Sequence, residues 1–331
     1  MPRQRTVAAP TVDTFAELFD SIVDNVSEVI QGKQAVIRLA LVCLVSEGHL
    51  LLEDVPGVGK TTLAKALAYS FGLEWRRIQF TPDLLPSDVT GVNTYDRETA
   101  AFSFRPGGIF ANVVLGDEIN RASPKTQSAL LEAMEEQQVT VDSTTYRLPS
   151  PFLVIATQNP LEHQGTYPLP ESQLDRFLLR IRMGYPDRAA ELAMLDRHGS
   201  GSMAEDLERS VKAVVGPGTV ATMIGYANSV HMAPALKGYI VDLADATRRH
   251  PGLALGMSPR AALALQRSSR ALAASLGRPY VVPDDVRALI GPVLEHRLVL
   301  SLESRVAGAQ VGDVLDEAVR SVAVPSGRLD A

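Results

Sequence analysis

His49-Leu50-Leu51-Leu52-Glu53-Asp54-Val55-Pro56-Gly57-Val58-Gly59-Lys60-Thr61-Thr62 carries an apolar strand into a turn rich in Gly and Pro, then into a helix opening Thr61-Thr62-Leu63-Ala64-Lys65-Ala66-Leu67. Strand, turn and helix in that order are the setting in which backbone cradles phosphate. The N–H groups of the turn and of the helix N-terminus face the anion, and Lys60 adds a point charge on the outer phosphates. The Thr61 hydroxyl can complete the coordination sphere of Mg²⁺. Gly57 and Gly59 let the backbone approach without a Cβ in the way. The strict pattern G-x-x-x-x-G-K-[ST] would begin with glycine at position 54, where this chain has Asp54. An ordinary strand–turn–helix corner with a solvated lysine looks the same locally, so the rest of the chain has to decide.

The chain has 331 residues, 46% of them hydrophobic and 21% charged, which suits a soluble globular protein of two domains, or one large domain with an appendage. A net charge of −6 argues against a nucleic-acid coat protein while leaving a local basic channel open. The single cysteine, Cys43, lies in the apolar run Leu39–Val45 and reads as core filler; it has no partner for an internal disulfide. No segment approaches the roughly 18 apolar residues that cross a bilayer. Met1–Val7 is basic without an apolar stretch after it, so a signal peptide is not expected and the cytoplasm is. Residues 1 to about 13 read as a disordered tail.

Thr14-Phe15-Ala16-Glu17 fits a capping box, followed by Phe15, Leu18, Phe19, Ile22, Val23 and Val26 at helical spacing. A second helix spans about 35–46, and Gly48 ends it. Beyond the phosphate-loop helix, residues 75–80 read as a strand. Pro82, Pro86, Gly91, Pro106, Gly107 and Gly108 then punctuate a short helix and hairpin inserted to about residue 110. Asn112–Asn120 is a buried strand ending in Asp117-Glu118, and Ser123-Pro124 caps a helix to about 137. A hairpin follows, closing on Asp142-Ser143, then the apolar strand 152–157 ending at Gln158-Asn159-Pro160. Leu174–Phe177 is placed in a short helix and 178–183 in a last strand. Strands alternating with helices, several of them unbroken apolar runs, predict a parallel sheet covered on both faces. From about Tyr185 the pattern is helical throughout, over 187–199, 219–231, 235–249, 259–276 and 283–298. The expected division is a tail over 1–13, an α/β domain over 14–185 with its insert near 82–110, and a helical domain over 186–331.

In a parallel sheet the carboxyl ends of the strands line the ligand crevice. A strand there brings Asp117 to a Mg²⁺ held by Thr61 and phosphates, and sets Glu118 to polarise a water attacking the γ-phosphate. Acidic pairs after apolar strands are also common surface features; the phosphate loop upstream favours the catalytic reading. Asn159 ends the next strand, where an amide can hydrogen-bond the attacking water or the γ-phosphate. Arg176, at the sheet edge, is placed to reach a neighbouring subunit's nucleotide rather than its own; the alternative is a surface arginine paired with Asp175 or Glu171. Arg260 follows Ser258-Pro259 in the first turn of a helix, where a cation opposes the dipole, so a phosphate explains it better than stability.

Together these residues resemble the AAA+ ATPase superfamily and, within it, the MoxR branch, over about residues 15–325. The carriers are Leu51–Thr61, Gly116-Asp117-Glu118-Ile119-Asn120-Arg121-Ala122, Ala156–Pro160, the long stretch Gly165–Phe177 and Ser258-Pro259-Arg260-Ala261. The resemblance implies a P-loop NTPase (AAA+) parallel sheet sandwiched by helices, followed by a smaller all-helical lid domain, with ATP and Mg²⁺ as cofactors. It assigns Lys60 and Thr61 to Walker A within a nucleotide-binding stretch of Asp54, Val55, Pro56, Gly57, Val58, Gly59, Lys60, Thr61 and Thr62. Asp117 and Glu118 match Walker B, Asn159 sensor 1, Arg176 the arginine finger and Arg260 sensor 2. Ile30-Gln31-Gly32 falls where this superfamily packs near the adenine, and residues 82–110 match the helix-2 insert. Thr61 and Asp117 are then the metal ligands. Two departures stand out: Asp54, explained here by the tolerance of Asp for unusual backbone angles and expected at worst to weaken nucleotide affinity, and Gly116 in place of a small residue such as Ala.

Membership would also imply a homo-hexameric ring that remodels a protein client, often beside a partner with a von Willebrand factor A domain. A nucleic-acid motor of the same clade is the alternative. The insert mixes Asp83, Asp88, Asp96 and Glu98 with Arg97 and Arg105, which disfavours a channel tracking phosphates, and no membrane insertion is expected. A nucleotide-gated scaffold without turnover would be expected to lose Glu118, and the residue is present.

Overall fold

Three unbroken apolar runs form the middle of a five-stranded sheet ordered β2-β5-β8-β1-β9. These are β1 (Leu50–Glu53), β5 (Val113–Asp117) and β8 (Leu153–Gln158), flanked by β2 (Trp75–Gln79) and β9 (Leu179–Ile181). The β2–β5, β5–β8 and β1–β8 pairs are parallel. Leu50, Leu51, Leu52, Val113, Val114, Leu115, Val154, Ile155 and Ala156 expose no surface, as strands covered on both faces require. The computed structural model describes residues 11–98, 100–160, 165–197 and 210–325.

By contacts the chain forms two compact units, one of Leu18–Leu169 and Ile181–Ala221, the other of Met1–Glu17, Pro170–Arg180 and Thr222–Ala331. That division differs from 14–185 followed by 186–331. Residues 170–180 group with the helical unit because Asp175 and Phe177 bond to Arg297 and His296 there.

In the sheet unit, α2 (Gln34–Val45) buries Ile37 and the run Ala40–Val45, Cys43 included. Helix α3 (Lys60–Ser70) packs on β2 and β5 and buries Leu63, Ala64 and Leu67. The insert is α4 (Pro86–Thr90) with the antiparallel hairpin β3 (Gly91–Asp96) and β4 (Ala101–Pro106). Ser123 accepts from the Thr126 amide to start α5 (Pro124–Glu136). The hairpin β6 (Gln138–Val141) and β7 (Thr144–Arg147) follows, with Asp142 at φ 54 in its turn. Phe104 of the first hairpin stacks on Tyr146 of the second, centroids 3.8 Å apart, and Asn93 donates to Asp142 at 2.7 Å. The next helix, α7 (Arg188–Arg197), follows α6 (Glu171–Leu174) and β9 in the chain.

The other unit is built from α8 (Pro217–Ser229), α9 (Pro234–Arg249), α10 (Pro259–Ser275), α11 (Pro283–Leu294), α12 (Leu302–Val306) and α13 (Val311–Arg320), with α8 entering it at Thr222. Its interior holds Tyr239, Leu243, Leu265, Val286, Leu289 and Val293.

Several expectations change. Helix α1 (Val12–Ser27) begins two residues before Thr14: Thr11 is the capping side chain, accepting from the Thr14 amide at 3.3 Å, and residues 1–10 of the expected tail lie outside the described residues. Helix α6 stops at Leu174, so Arg176 follows it rather than lying within it. Residues 198 and 199 of the helix expected over 187–199 also lie outside the described residues. The lid is not wholly helical: β10 (Leu253–Leu255) and β11 (Val299–Leu300) pair antiparallel. Strands of three and two residues carry no readable alternation.

Candidate nucleotide-binding site

Parallel register sets the site. Glu53 pairs with Gln158 and Gln79 with Asp117, so the carboxyl ends of β1, β8, β2 and β5 finish at one edge of the sheet. Beyond β1, the loop from Asp54 turns with Gly57 at φ 87 and Gly59 at φ 91, angles that favour glycine. Gly59 is the N-cap of α3 and offers no side-chain cap, leaving the first amides of that helix directed at the loop's interior. That is an anion-binding arrangement. Ile30 and Met183 flank the loop: a Cβ built on Gly59 would lie 3.5 Å from Ile30 Cδ1 and 3.8 Å from Met183 Cε. Gly32 turns at φ 69 beside Asp187 and Ala190, so of the stretch Ile30-Gln31-Gly32 it is Ile30 that reaches the loop.

Asp54 takes a different part from the one expected. It is not among the non-glycine residues with positive φ in the described chain, so backbone tolerance does not explain it. Its carboxylate works instead. Oδ1 accepts from the Val55 amide at 3.0 Å and Oδ2 from the Gly184 amide at 2.6 Å, while its carbonyl accepts from Lys60 Nζ at 2.8 Å. A glycine at 54 could make only the last of these contacts. The second departure is steric: a Cβ at Gly116 would sit 3.2 Å from Ile119 Cγ2 and 3.3 Å from Phe80 Cε2.

At the tip of β5, Asp117 Oδ1 accepts from the Thr157 hydroxyl at 2.6 Å and Oδ2 from Arg77 Nη2 at 2.6 Å. Glu118 sits in the left-handed region, φ 57 and ψ 50, a placement that costs a non-glycine residue about 1 kcal/mol and recurs at functional sites. Its amide donates to Thr157 Oγ1 at 2.9 Å, and its Oε2 accepts from Gln79 at 2.9 Å and Arg121 at 3.1 Å. Arg77 also donates to Gln79 at 2.5 Å, so Asp117, Arg77, Gln79 and Glu118 form one chain of contacts. Asn159 directly follows β8 and is buried. The sequence reading missed Arg77, Gln79 and Thr157. The signal was present: Arg77 and Gln79 are polar on one face at the tip of β2, and Thr157 interrupts an apolar run.

The donors gathered near the loop suit Mg²⁺, which takes oxygen ligands, keeps several waters and is held by one or two protein groups together with phosphates. Thr61 supplies a hydroxyl and Asp117 a carboxylate that already binds a cationic group, Arg77. Among the described residues no set of three or more His, Cys, Asp or Glu side chains forms an all-protein cage.

A family model described as the ATPase family associated with various cellular activities (AAA) matches residues 49–179, and one described as an AAA lid domain matches residues 245–325. Chaperone MoxR1 of Mycobacterium tuberculosis is 40% identical over 310 residues, 91% of this chain and 81% of that protein. The chain belongs to the MoxR family of AAA+ ATPases. Protein MoxR of Methylorubrum extorquens is 33% identical, covering 89% of this chain and 91% of that one. The uncharacterised protein YeaC of Bacillus subtilis is 48% identical, covering 93% and 95%. A crystal structure from Cytophaga hutchinsonii superimposes with a TM-score of 0.87 at 36% identity, covering 95% of this chain and 97% of that one.

In this MoxR-family chain, Arg176 and Arg260 belong to the helical unit, whereas Lys60, Thr61, Asp117, Glu118 and Asn159 belong to the sheet unit. Arg176 follows α6, and its neighbour Asp175 pairs with Arg297 at 3.1 Å. Arg260 is exposed in the first turn of α10, whose N-cap Ser258 accepts from the Ala261 amide at 3.0 Å. No helix among the described residues is long and apolar enough to cross a membrane.

Proposed function

We propose that this chain hydrolyses ATP to ADP and phosphate in a Mg²⁺-dependent reaction, as one subunit of a homo-hexameric ring that remodels a protein client in the cytoplasm. The observation that carries this reading is the shared edge of β1, β5 and β8, where a glycine-turned helix N-terminus, two carboxylates and an amide-bearing residue follow adjacent strand tips. The amides of the loop and of the first turn of α3, with Lys60, bind and orient the phosphates of ATP. Mg²⁺, held through Thr61 and Asp117, would neutralise phosphate charge when bound. Glu118 orients and polarises the attacking water, and Asn159 fixes that water or the γ-phosphate. Arg176 serves as the finger in trans and Arg260 contacts phosphate. Ile30–Gly32 lies against the base. The MoxR names of its relatives support the chaperone-like role, and a partner with a von Willebrand factor A domain belongs to the same reading.

The nucleic-acid motor has less behind it. Arg97 and Arg105 share the insert with Asp83, Asp88, Asp96 and Glu98, and Asp88 and Asp96 bind the amides of Leu85 and Glu98. Stimulation of turnover by single-stranded DNA at low salt would favour that reading; none is expected.

The test is Glu118→Gln. It should retain ATP and stop phosphate release by about a thousandfold, whereas Lys60→Ala should lose nucleotide binding itself. Unchanged turnover in Glu118→Gln would remove the assignment. The same variant, holding ATP, is the bait with which to recover the client.

A further inference from the structure

A charged arginine and a histidine are buried together just after α11, Arg297 at 5% exposure and His296 at 4%. A buried guanidinium is costly unless its contacts are good, so these contacts need a reason. Arg297 Nη2 donates to the Phe177 carbonyl at 2.7 Å and to the Asp175 carbonyl at 3.3 Å, and its Nε lies 3.1 Å from Asp175 Oδ1. His296 Nε2 is 2.9 Å from the same Phe177 carbonyl. Burial first, then the charges of Arg297 and Arg180, push the His296 pKa down to about 3. The ring is therefore neutral at ordinary pH, and because a carbonyl can only accept, Nε2 carries the proton. Asp175 and Phe177 are thus fastened on either side of Arg176, whose own backbone lies between them. The other carboxylate oxygen of Asp175 accepts from the Ser258 hydroxyl at 3.3 Å. Ser258 also caps α10, two residues before Arg260. The Asp175 carboxylate therefore touches the buried anchor and the cap of the helix that carries Arg260, while the same Arg297 holds the backbone carbonyls on either side of Arg176.

We propose that Asp175, anchored by Arg297, is a positioning residue that sets Arg176 and Arg260 as a coupled pair, so that moving either arginine moves the other. The inference rests on the roles given to those arginines above. It supplies a reason for spending a buried ion pair at this place: a misplacement of about 1 Å remote from the chemistry can cost about a hundredfold in rate.

A double-mutant cycle tests it. Asp175→Asn should lower kcat by about 10- to 100-fold and leave affinity for a non-hydrolysable ATP analogue within about twofold. Ser258→Gly should act in the same direction. Glycine is nearly as good an N-cap, so that variant removes the link while leaving the helix start in place, and it carries the test if Asp175→Asn does not fold. Ser258→Thr, which keeps the hydroxyl, should restore turnover. The deciding readout is the same two changes made in Arg176→Lys and Arg260→Lys, backgrounds chosen to keep measurable turnover. Coupling predicts that Asp175→Asn or Ser258→Gly costs much less there than in the wild type, because its effect runs through an arginine already displaced. Equal fold-losses on all backgrounds would mean an independent structural strut and would overturn the proposal. If Arg176→Ala and Arg260→Ala themselves leave turnover intact, the functional reading falls first and takes this inference with it.

Discussion

Asp54 is the residue at which the loop departs from the strict phosphate-binding pattern, and its role is a matter of hydrogen bonds rather than backbone angles. Its carboxylate ties the loop to the Gly184 amide and to the amide beside it. Replacing it by glycine leaves two part-buried donors without that acceptor, at about 1–3 kcal/mol, and frees the chain further. Asp54→Gly should therefore lower the apo-protein's unfolding midpoint in urea even though it restores the usual pattern; an unchanged midpoint would deny the tether. Glu118 belongs at the same scale. The sequence placed it at a strand end, but not in the left-handed region and not between Gln79 and Arg121. The Gln79 contact comes from a strand 39 residues away, which no local spacing reports, whereas Arg121 lies only three residues on. Gln79→Ala removes one acceptor-holding amide from Glu118 and should change turnover while leaving ATP affinity near wild type; equal losses in both would assign Gln79 to loop structure.

At the scale of elements, the long periodic and apolar stretches were legible. Helix α5 starts at the expected Ser123-Pro124, and β1, β5 and β8 are the expected buried runs. What escaped was short or decided by tertiary contacts: β10 and β11, the early start of α1 at Val12 after its Thr11 cap, and the end of α6 before Arg176. The polar residues of β2 were readable as strand yet silent about their partners, because a strand's neighbour is fixed by topology. The buried turn after α11 makes a prediction of its own. His296 is folded in its neutral form, with its pKa lowered from 6.5 to about 3. Its contribution is therefore intact above pH 6.5 and is lost as the pH falls toward the folded value, because the unfolded chain takes up the proton first. At pH 5 the loss should be about 2 kcal/mol relative to pH 7.5. His296→Gln keeps an N–H donor and does not titrate, so the gap between its urea midpoints at the two pH values should be smaller than that of the wild type. Equal gaps would contradict the buried neutral ring.

For the whole molecule, the sequence supplied an α/β part and a helical part, and by contacts the segment Pro170–Arg180 groups with the helical unit. Composition changes along the chain mark where helices take over; they do not mark which unit a connecting segment packs against. The proposed site asks for Arg176 from a second subunit, so the central claim is one of assembly. Heterologous contacts that close into a ring allow such sharing. The direct measurement uses two singly inactive variants, Arg176→Ala and Glu118→Gln, co-expressed with different tags and purified through both. In a randomly mixed ring, roughly a quarter of the interfaces join an intact Glu118 to an intact neighbouring Arg176. The mixed assemblies should therefore recover roughly a quarter of wild-type ATP turnover. Mixed assemblies no more active than either variant alone would contradict a site shared between subunits.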